Sequence, residues 1–445
     1  MLWFAAMLAA APAVRQAAGA PPNTLRIAYV APTPGPARAS AGAERAGDVR
    51  VAAYSGLLGA RQGAAETGYS ARLVGRRLEL LEAAAATPDE AAAAAGRLAG
   101  RGVAALLGGF DSATAVALSR FARAHRLLFI NVGATDDRLR NEECDRYSFH
   151  VEASDAMYLD ALADWFIRGL AFLIDENAPQ GIQVIRRNPA RTWFLVTEDT
   201  PVERARRDRL RAALELRHWG GRVVADVLVG RNTDIPDVLP AIRRIHPDLV
   251  FLLLSPGRQL AFYRRYEEAR LPVETTGFPD PAAQTRAFFG ALLRTAPAAS
   301  RGGIRIVAWE PTFAAVGGPQ LAQRFYRRWG HPMDGPAWTS WAAVKIVWDA
   351  VTGAQTADAD GLLRYLETPS AVFEAYQGIG MGFRPWDHQL RHPVMASRLR
   401  AWSSDETALA EMYGQFPNVL APGREPDQVL DQLGDTAVMS RCRWH

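Results

Sequence analysis

The sequence predicts an α/β protein built from two doubly wound parallel sheets, each covered by helices on both faces. Three observations predict it. Short continuous apolar runs alternate with helix-like stretches along most of the chain, the pattern of parallel strands buried on both faces. The length of 445 residues suits two such sheets better than one. The composition, 49% hydrophobic and 22% charged, is that of an ordinary globular protein and excludes long disorder.

Each element has its own signal. Residues 25–30 read as the first strand. Thr87 can cap a helix and Glu90 can reach back to it, with Pro88 in the first turn. Gly102 closes that helix, and 103–107 follow as a buried strand. Ser112 opens the next helix, and 127–130 give another strand. Further on, strands are expected at 193–196, 223–229, 249–254 and 304–309. Helices are expected near 202–218, 235–245, 258–270 and 282–294. Residues 380–394 look like two strands around a turn at 386–389. Residues 403–445, with Pro417, Pro422, Gly423 and Pro426, read as a mostly irregular tail on the surface.

Charge and end signals narrow the class. The net charge is +4 and almost all of the basicity is arginine. Opposite charges are interspersed, so nucleic-acid and membrane surfaces are not expected. The densest basic patch, Arg204 to Arg209, reads as a solvated helix face. Residues 1–20 hold an apolar stretch followed by Ala18-Gly19-Ala20, the form of a signal peptide with its cleavage site. That stretch is too short to span a bilayer. The chain is therefore expected to be exported, not membrane-spanning, and monomeric. Two cysteines, Cys144 and Cys442, permit one disulfide in an exported chain, against two separate buried thiols.

The order of segments resembles the type I periplasmic solute-binding proteins of the branched-chain amino-acid receptor family. The similarity spans about residues 25–402. It is carried by Ala31 to Pro36, Leu107-Gly108-Gly109-Phe110-Asp111-Ser112, Asn131 to Thr135, Gly317 to Gly330, the helix from Trp338 to Ala350, and the Phe383 to Pro393 turn. Within that family, the Phe383-Arg384-Pro385-Trp386-Asp387 turn, Asn141 to Cys144 and the Cys442-Arg443-Trp444 ending are similar to receptors associated with pyrroloquinoline-quinone-dependent alcohol oxidation. The resemblance implies two α/β lobes, doubly wound parallel sheets joined by crossovers near 150, 275 and 375, with the ligand held in the cleft between them. Residues 21–150 plus 276–375 would then form one lobe and 151–275 plus 376–402 the other, with 403–445 as an extension.

Ligands of open α/β sheets bind beyond the carboxyl ends of the strands, where helix N-termini converge. One wall would use Phe110, Asp111 and Ser112 beside Gly108-Gly109, with Ala134 and Thr135 after the next strand. The opposite lobe would offer Glu198, Asp199 and Ser255, with Phe278 and Trp309 at further strand ends. Amino-acid receptors of the family supply a tyrosine-glycine pair in the second lobe. Pro201-Val202 stands there instead, which favours an acid lacking the amine, an alcohol-derived metabolite or another anion.

The acidic run Asp136-Asp137, Glu142-Glu143 and Asp145 raises a hard-metal site, but Arg138 and Arg140 interrupt it and a solvated loop is the stronger expectation. Metalloprotease, nucleophile-elbow and P-loop motifs are absent from the sequence. No enzyme activity and no cofactor are expected. The resulting expectation is a periplasmic receptor of an ABC importer that passes a small solute to an inner-membrane permease. The rival expectation is a partner or sensor that contacts a quinoprotein dehydrogenase or a signalling protein without transport.

Overall fold

Parallel pairing begins at once in the computed structural model, which describes residues 23–32, 44–175, 177–230, 235, 237–420 and 423–444. The expected signal segment 1–20 and residues 33–36 lie outside that set. Strands β1 (Thr24–Ala31), β2 (Arg77–Ala84), β3 (Ala105–Gly108), β4 (Leu128–Asn131) and β5 (Ser148–His150) form one sheet, ordered β2-β1-β3-β4-β5. All its pairs are parallel. The order reverses between β1 and β3, which opens a crevice at their carboxyl ends.

Helices α1 (Glu44–Leu73), α2 (Pro88–Ala99) and α3 (Ser112–His125) connect these strands. The α2 start follows its capping signal: Thr87 Oγ1 accepts from the Glu90 main-chain N–H at 3.2 Å. Glu90 reaches back to the Ala86 N–H at 2.7 Å, one residue earlier than expected. Helix α1, for which the sequence offered no clean periodicity, packs through a glycine face. A Cβ at Gly59 would lie 1.9 Å from the Ala337 carbonyl oxygen, and Gly56 and Gly63 face the same helix.

After α4 (Asp155–Ala163), strands β6 (Leu170–Ile174) and β7 (Ile182–Arg186) make an antiparallel hairpin. A second parallel sheet follows from β8 (Thr192–Glu198), β9 (Arg222–Val229), β10 (Leu249–Leu253) and β11 (Glu274–Gly277), ordered β11-β10-β8-β9. Helices α5 (Pro201–Leu216), α6 (Leu239–Ile245) and α7 (Pro256–Ala269) connect it. Its order reverses between β8 and β10, so a second crevice faces the first. The remaining elements are α8 (Arg286–Thr295), α9 (Pro297–Ser300), β12 (Ile304–Val307), α10 (Gly318–Trp329), α11 (Gly335–Ala354), α12 (Ala359–Leu366), β13 (Val394–Leu399), β14 (Ala410–Phe416) and α13 (Pro426–Leu430).

Three expectations are corrected here. A third sheet, ordered β12-β13-β14-β6-β7, is antiparallel throughout. Its strand β14 falls inside the supposedly irregular tail, because β13 and β6 each offer it a free edge. Strand β12 pairs along β13, and Thr276 Oγ1 donates to the Ile304 carbonyl at 2.9 Å. Residues 286–307 therefore sit with the second lobe and not, as the resemblance implied, with the first. Around the 386–389 turn the pairing is reduced to single bridges, Phe383 with Leu390 and His150 with Gln389.

Cys144 and Cys442 form a disulfide with their Cα atoms 5.7 Å apart. Among the described residues, no helix is long and apolar enough to cross a membrane.

Candidate ligand cleft

The two crevices meet in a cavity of about 90 Å³. Its first-lobe wall is Phe110, Asp111 and Ser112 after β3, Gly133 to Thr135 after β4, and Asp48, Val49 and Ala52 on α1. Asp111 caps α3 by accepting from the Thr114 N–H at 2.9 Å, which leaves Ser112 at the helix start facing the cavity. The loop after β4 is fixed from behind: Asn131 Oδ1 accepts from the Ala134 N–H at 2.9 Å, and its amide donates to the Ala134 carbonyl at 2.7 Å. Gly133 is required there, since a Cβ would come within 2.7 Å of the Phe110 ring.

The second-lobe wall is Val202 and Arg206 on α5, Ser255 and Pro256 at the start of α7, and Asp280, Pro281 and Ala282 after β11. Arg206 is 4% exposed. Its guanidinium donates to Asp155 (3.0 Å), Glu203 (2.8 Å) and Asp280 (2.8 Å), and its centre sits 3.8 Å from the Phe278 ring centroid. Burial opposes its charge, but Asp155, Asp280 and Glu203 outweigh burial and hold its pKa well above the ordinary arginine value. Asp155 moves the other way: burial raises its pKa, and Arg206 only partly offsets it.

Among the described residues, α5 and α7 each send a hydrogen bond across the cleft. Arg206 Nη2 donates to Thr135 Oγ1 at 2.8 Å, and the Gly257 N–H at the start of α7 donates to Asp48 Oδ2 at 3.2 Å. The lobes are thus drawn together around the cavity. Most of the lining is apolar, so a solute would be held by shape and by a small set of polar groups.

Of the residues singled out from sequence, Phe110, Asp111, Ser112, Ala134, Thr135 and Ser255 line this cavity. Four do not. Glu198 is buried behind the wall, where its Oε2 accepts from the Ser255 N–H at 3.0 Å. Asp199 is turned toward solvent and pairs with Arg204. Phe278 lies under the Arg206 guanidinium, and Trp309 stacks on Trp338. Arg206, Asp280 and Asp48 were missed. Asp280 follows the same strand-end rule as the others, and Arg206 stands one turn after Val202 on the cleft-facing side of α5, the signal that could have found it.

The basic patch is also corrected. Arg206 is buried in its carboxylate cage, and Arg209 pairs with Asp435 at 2.7 Å, so only part of the run faces solvent. The acidic run is not a simple solvated loop. Asp136 and Asp145 are buried, the first held by Arg138 and the second near Arg123 at 3.4 Å. Among the described residues, no group of three acidic, histidine or cysteine side chains is arranged to hold a metal ion.

The periplasmic binding protein family model matches residues 24–406. The chain belongs to the periplasmic binding protein family. No curated protein matches the sequence. Solved structures match in fold. A periplasmic binding protein from Burkholderia mallei is 18% identical, with a TM-score of 0.68, 94% of this chain covered and 98% of that one. A branched-chain amino-acid transporter ligand-binding protein from Burkholderia xenovorans is 16% identical, with a TM-score of 0.70 and 90% and 97% of the two chains covered. A solute-binding protein from R. palustris in complex with benzoate is 16% identical, with a TM-score of 0.67 and 94% and 99% covered. This binding protein shares with them the two-lobed α/β architecture.

Proposed function

We propose that the protein is the solute-capturing component of an ABC-type importer. It takes a small solute into the cavity between its lobes in the periplasm and passes it to an inner-membrane permease. The observation that carries this reading is the cavity walled by the strand ends of both parallel sheets and spanned by the Arg206–Thr135 and Asp48–Gly257 contacts. A solute that touches both walls binds the closed form better and shifts a hinge equilibrium toward it.

The lining favours a compact solute with an apolar body and polar groups that can bond Ser112, Thr135 and Ser255 beside the Asp48, Asp111 and Asp280 carboxylates. The benzoate complex of a structural neighbour is the reason to place small organic acids first in a screen. Arg206 is already occupied by three carboxylates, so it serves as part of the wall and not as the anion partner. The narrower link to pyrroloquinoline-quinone-dependent alcohol oxidation rests on the Phe383 to Asp387 turn, Asn141 to Cys144 and the Cys442 to Trp444 ending. The partner-or-sensor alternative drew on the tail, and β14 together with the disulfide accounts for that tail as part of the folded body.

A thermal-shift screen tests the reading. The panel holds branched-chain and aromatic amino acids, benzoate, short alcohols with their aldehydes and acids, pyrroloquinoline quinone, calcium and a lanthanide. A solute at ~100 times its Kd adds about 2.7 kcal/mol of stability. A saturable shift with one organic class, lost in Ser112→Tyr, is the expected result. A shift with metal ions alone, or none with any organic class, would overturn it.

A further inference from the structure

Residues 430–444 touch both lobes beside the segments that cross between them. Those segments, at 150–152 and 389–391, run together through the His150–Gln389 bridge. Gly434 is wedged there: a Cβ would meet Met157 at 2.8 Å and Arg384 at 2.9 Å. The stretch around it grips the second lobe. Arg217 of α5 donates to the Gln432 and Gly434 carbonyls, both at 2.7 Å, and the Gly434 N–H donates to Asp160 of α4 at 2.8 Å.

Asp435 reaches both lobes at once. Its Oδ1 lies 2.7 Å from Arg209 of α5, while its Oδ2 accepts from Asn141 in the first lobe at 3.4 Å. Its carbonyl accepts from Trp386 at 3.2 Å. A few residues later the chain is fixed to the first lobe and to the 383–393 turn, with Ser440 Oγ donating to the Trp386 carbonyl at 3.4 Å and Trp444 packed on His388. The Arg441 N–H donates to Asn141 at 2.8 Å, and Cys442 is bonded covalently to Cys144.

We propose that residues 430–444 are a covalent strap across the hinge, which limits how far the lobes open when no solute is bound. Opening must lengthen or rearrange the path from the α4/α5 grip to Cys144, and the disulfide prevents the strap from simply peeling away. The anchoring is asymmetric, non-covalent on one lobe and covalent on the other. Release of the disulfide frees the strap's end, while Asp435 still weakly ties the lobes. The inference rests on the two-lobed capture reading but is tested without a solute, so the two can fail separately.

The experiment is small-angle scattering of the ligand-free mature protein, oxidised and after reduction by a phosphine in the folded state, with free thiols counted by mass spectrometry. The double variant Cys442→Ser, Asp435→Asn is measured alongside. The expected result is a larger radius of gyration and longer maximum dimension in the reduced protein, larger still in the double variant, with unchanged far-ultraviolet circular dichroism. Superimposable scattering curves for the oxidised and fully reduced proteins would overturn the strap. Reduction acts on protein that is already folded, so the result does not depend on the variant folding well.

Discussion

At the residue scale, two buried groups, Arg206 and Glu152, have electrostatic consequences that can be measured. Arg206 balances Asp155, Glu203 and Asp280, with Asp155 and Glu203 buried and Asp280 at the cavity wall. Arg206→Met should destabilise the protein by roughly 3–5 kcal/mol, because it strands buried carboxylates and not because the ion pairs are strong in themselves. Urea unfolding at pH 7 measures this, and a loss under 1 kcal/mol would contradict it. Glu152 is fully buried, with one oxygen accepting from Tyr158 at 2.5 Å. Burial raises its pKa to about 7, despite the hydrogen bond from Tyr158 and the charge of Arg140. The folded state therefore holds a proton that the unfolded state releases from about pH 4.5 upward. Stability from this group is present below that pH and is lost as pH rises toward 7, by at most about 3 kcal/mol. Glu152→Gln removes the dependence, so its Tm relative to wild type should increase between pH 5 and pH 8. Parallel Tm–pH curves would refute the assignment.

At the element scale, the contact of α1 with α11 makes opposite predictions for two glycines of one helix. Gly59→Ala forces the helices apart at the Ala337 carbonyl and should cost roughly 1–3 kcal/mol despite the better helix propensity. Gly68→Ala meets nothing nearer than Arg72 at 3.9 Å and should stabilise by about 0.5–1 kcal/mol. Thermal melts of the pair decide it, and equal effects would sink the packing argument.

The same contrast shows what could be read from sequence. Strands β3, β4, β8 and β10 are continuous apolar runs fixed by burial on both faces, and they were legible. Helix α1 was not, since its buried side is made of glycine and alanine, which carry little hydrophobic period. Strands β7 and β14 mix polar and apolar residues, and their pairing is decided by distant partners, not by local pattern. For the cleft, loops that follow a legible strand were found, whereas Arg206 was hidden because a buried arginine looks like any surface arginine until its carboxylates are in place.

At the scale of the whole molecule, the cavity and the strap describe one motion from its two ends. In the proposed reading, a bound solute would bridge the walls lined by Thr135, Ser112 and Ser255, while residues 430–444 would restrain the hinge behind them. A saturating solute should bring the oxidised and reduced proteins to the same compact scattering profile. Profiles that stay different at saturation would mean that the strap alters the closed form as well as the range of opening.

The position of β14 has a consequence for biosynthesis. It lies between β13 and β6, and the β6–β7 hairpin joins the rest of its sheet through it. A chain still being synthesised therefore carries that hairpin with an open edge until residues 410–416 arrive. Loss of those few residues near the end would expose two strand edges at once, the kind of surface on which chains pair with one another. Quality control by proteases should thus discard prematurely terminated copies, even though nearly all of the cleft-forming sequence is already present in them.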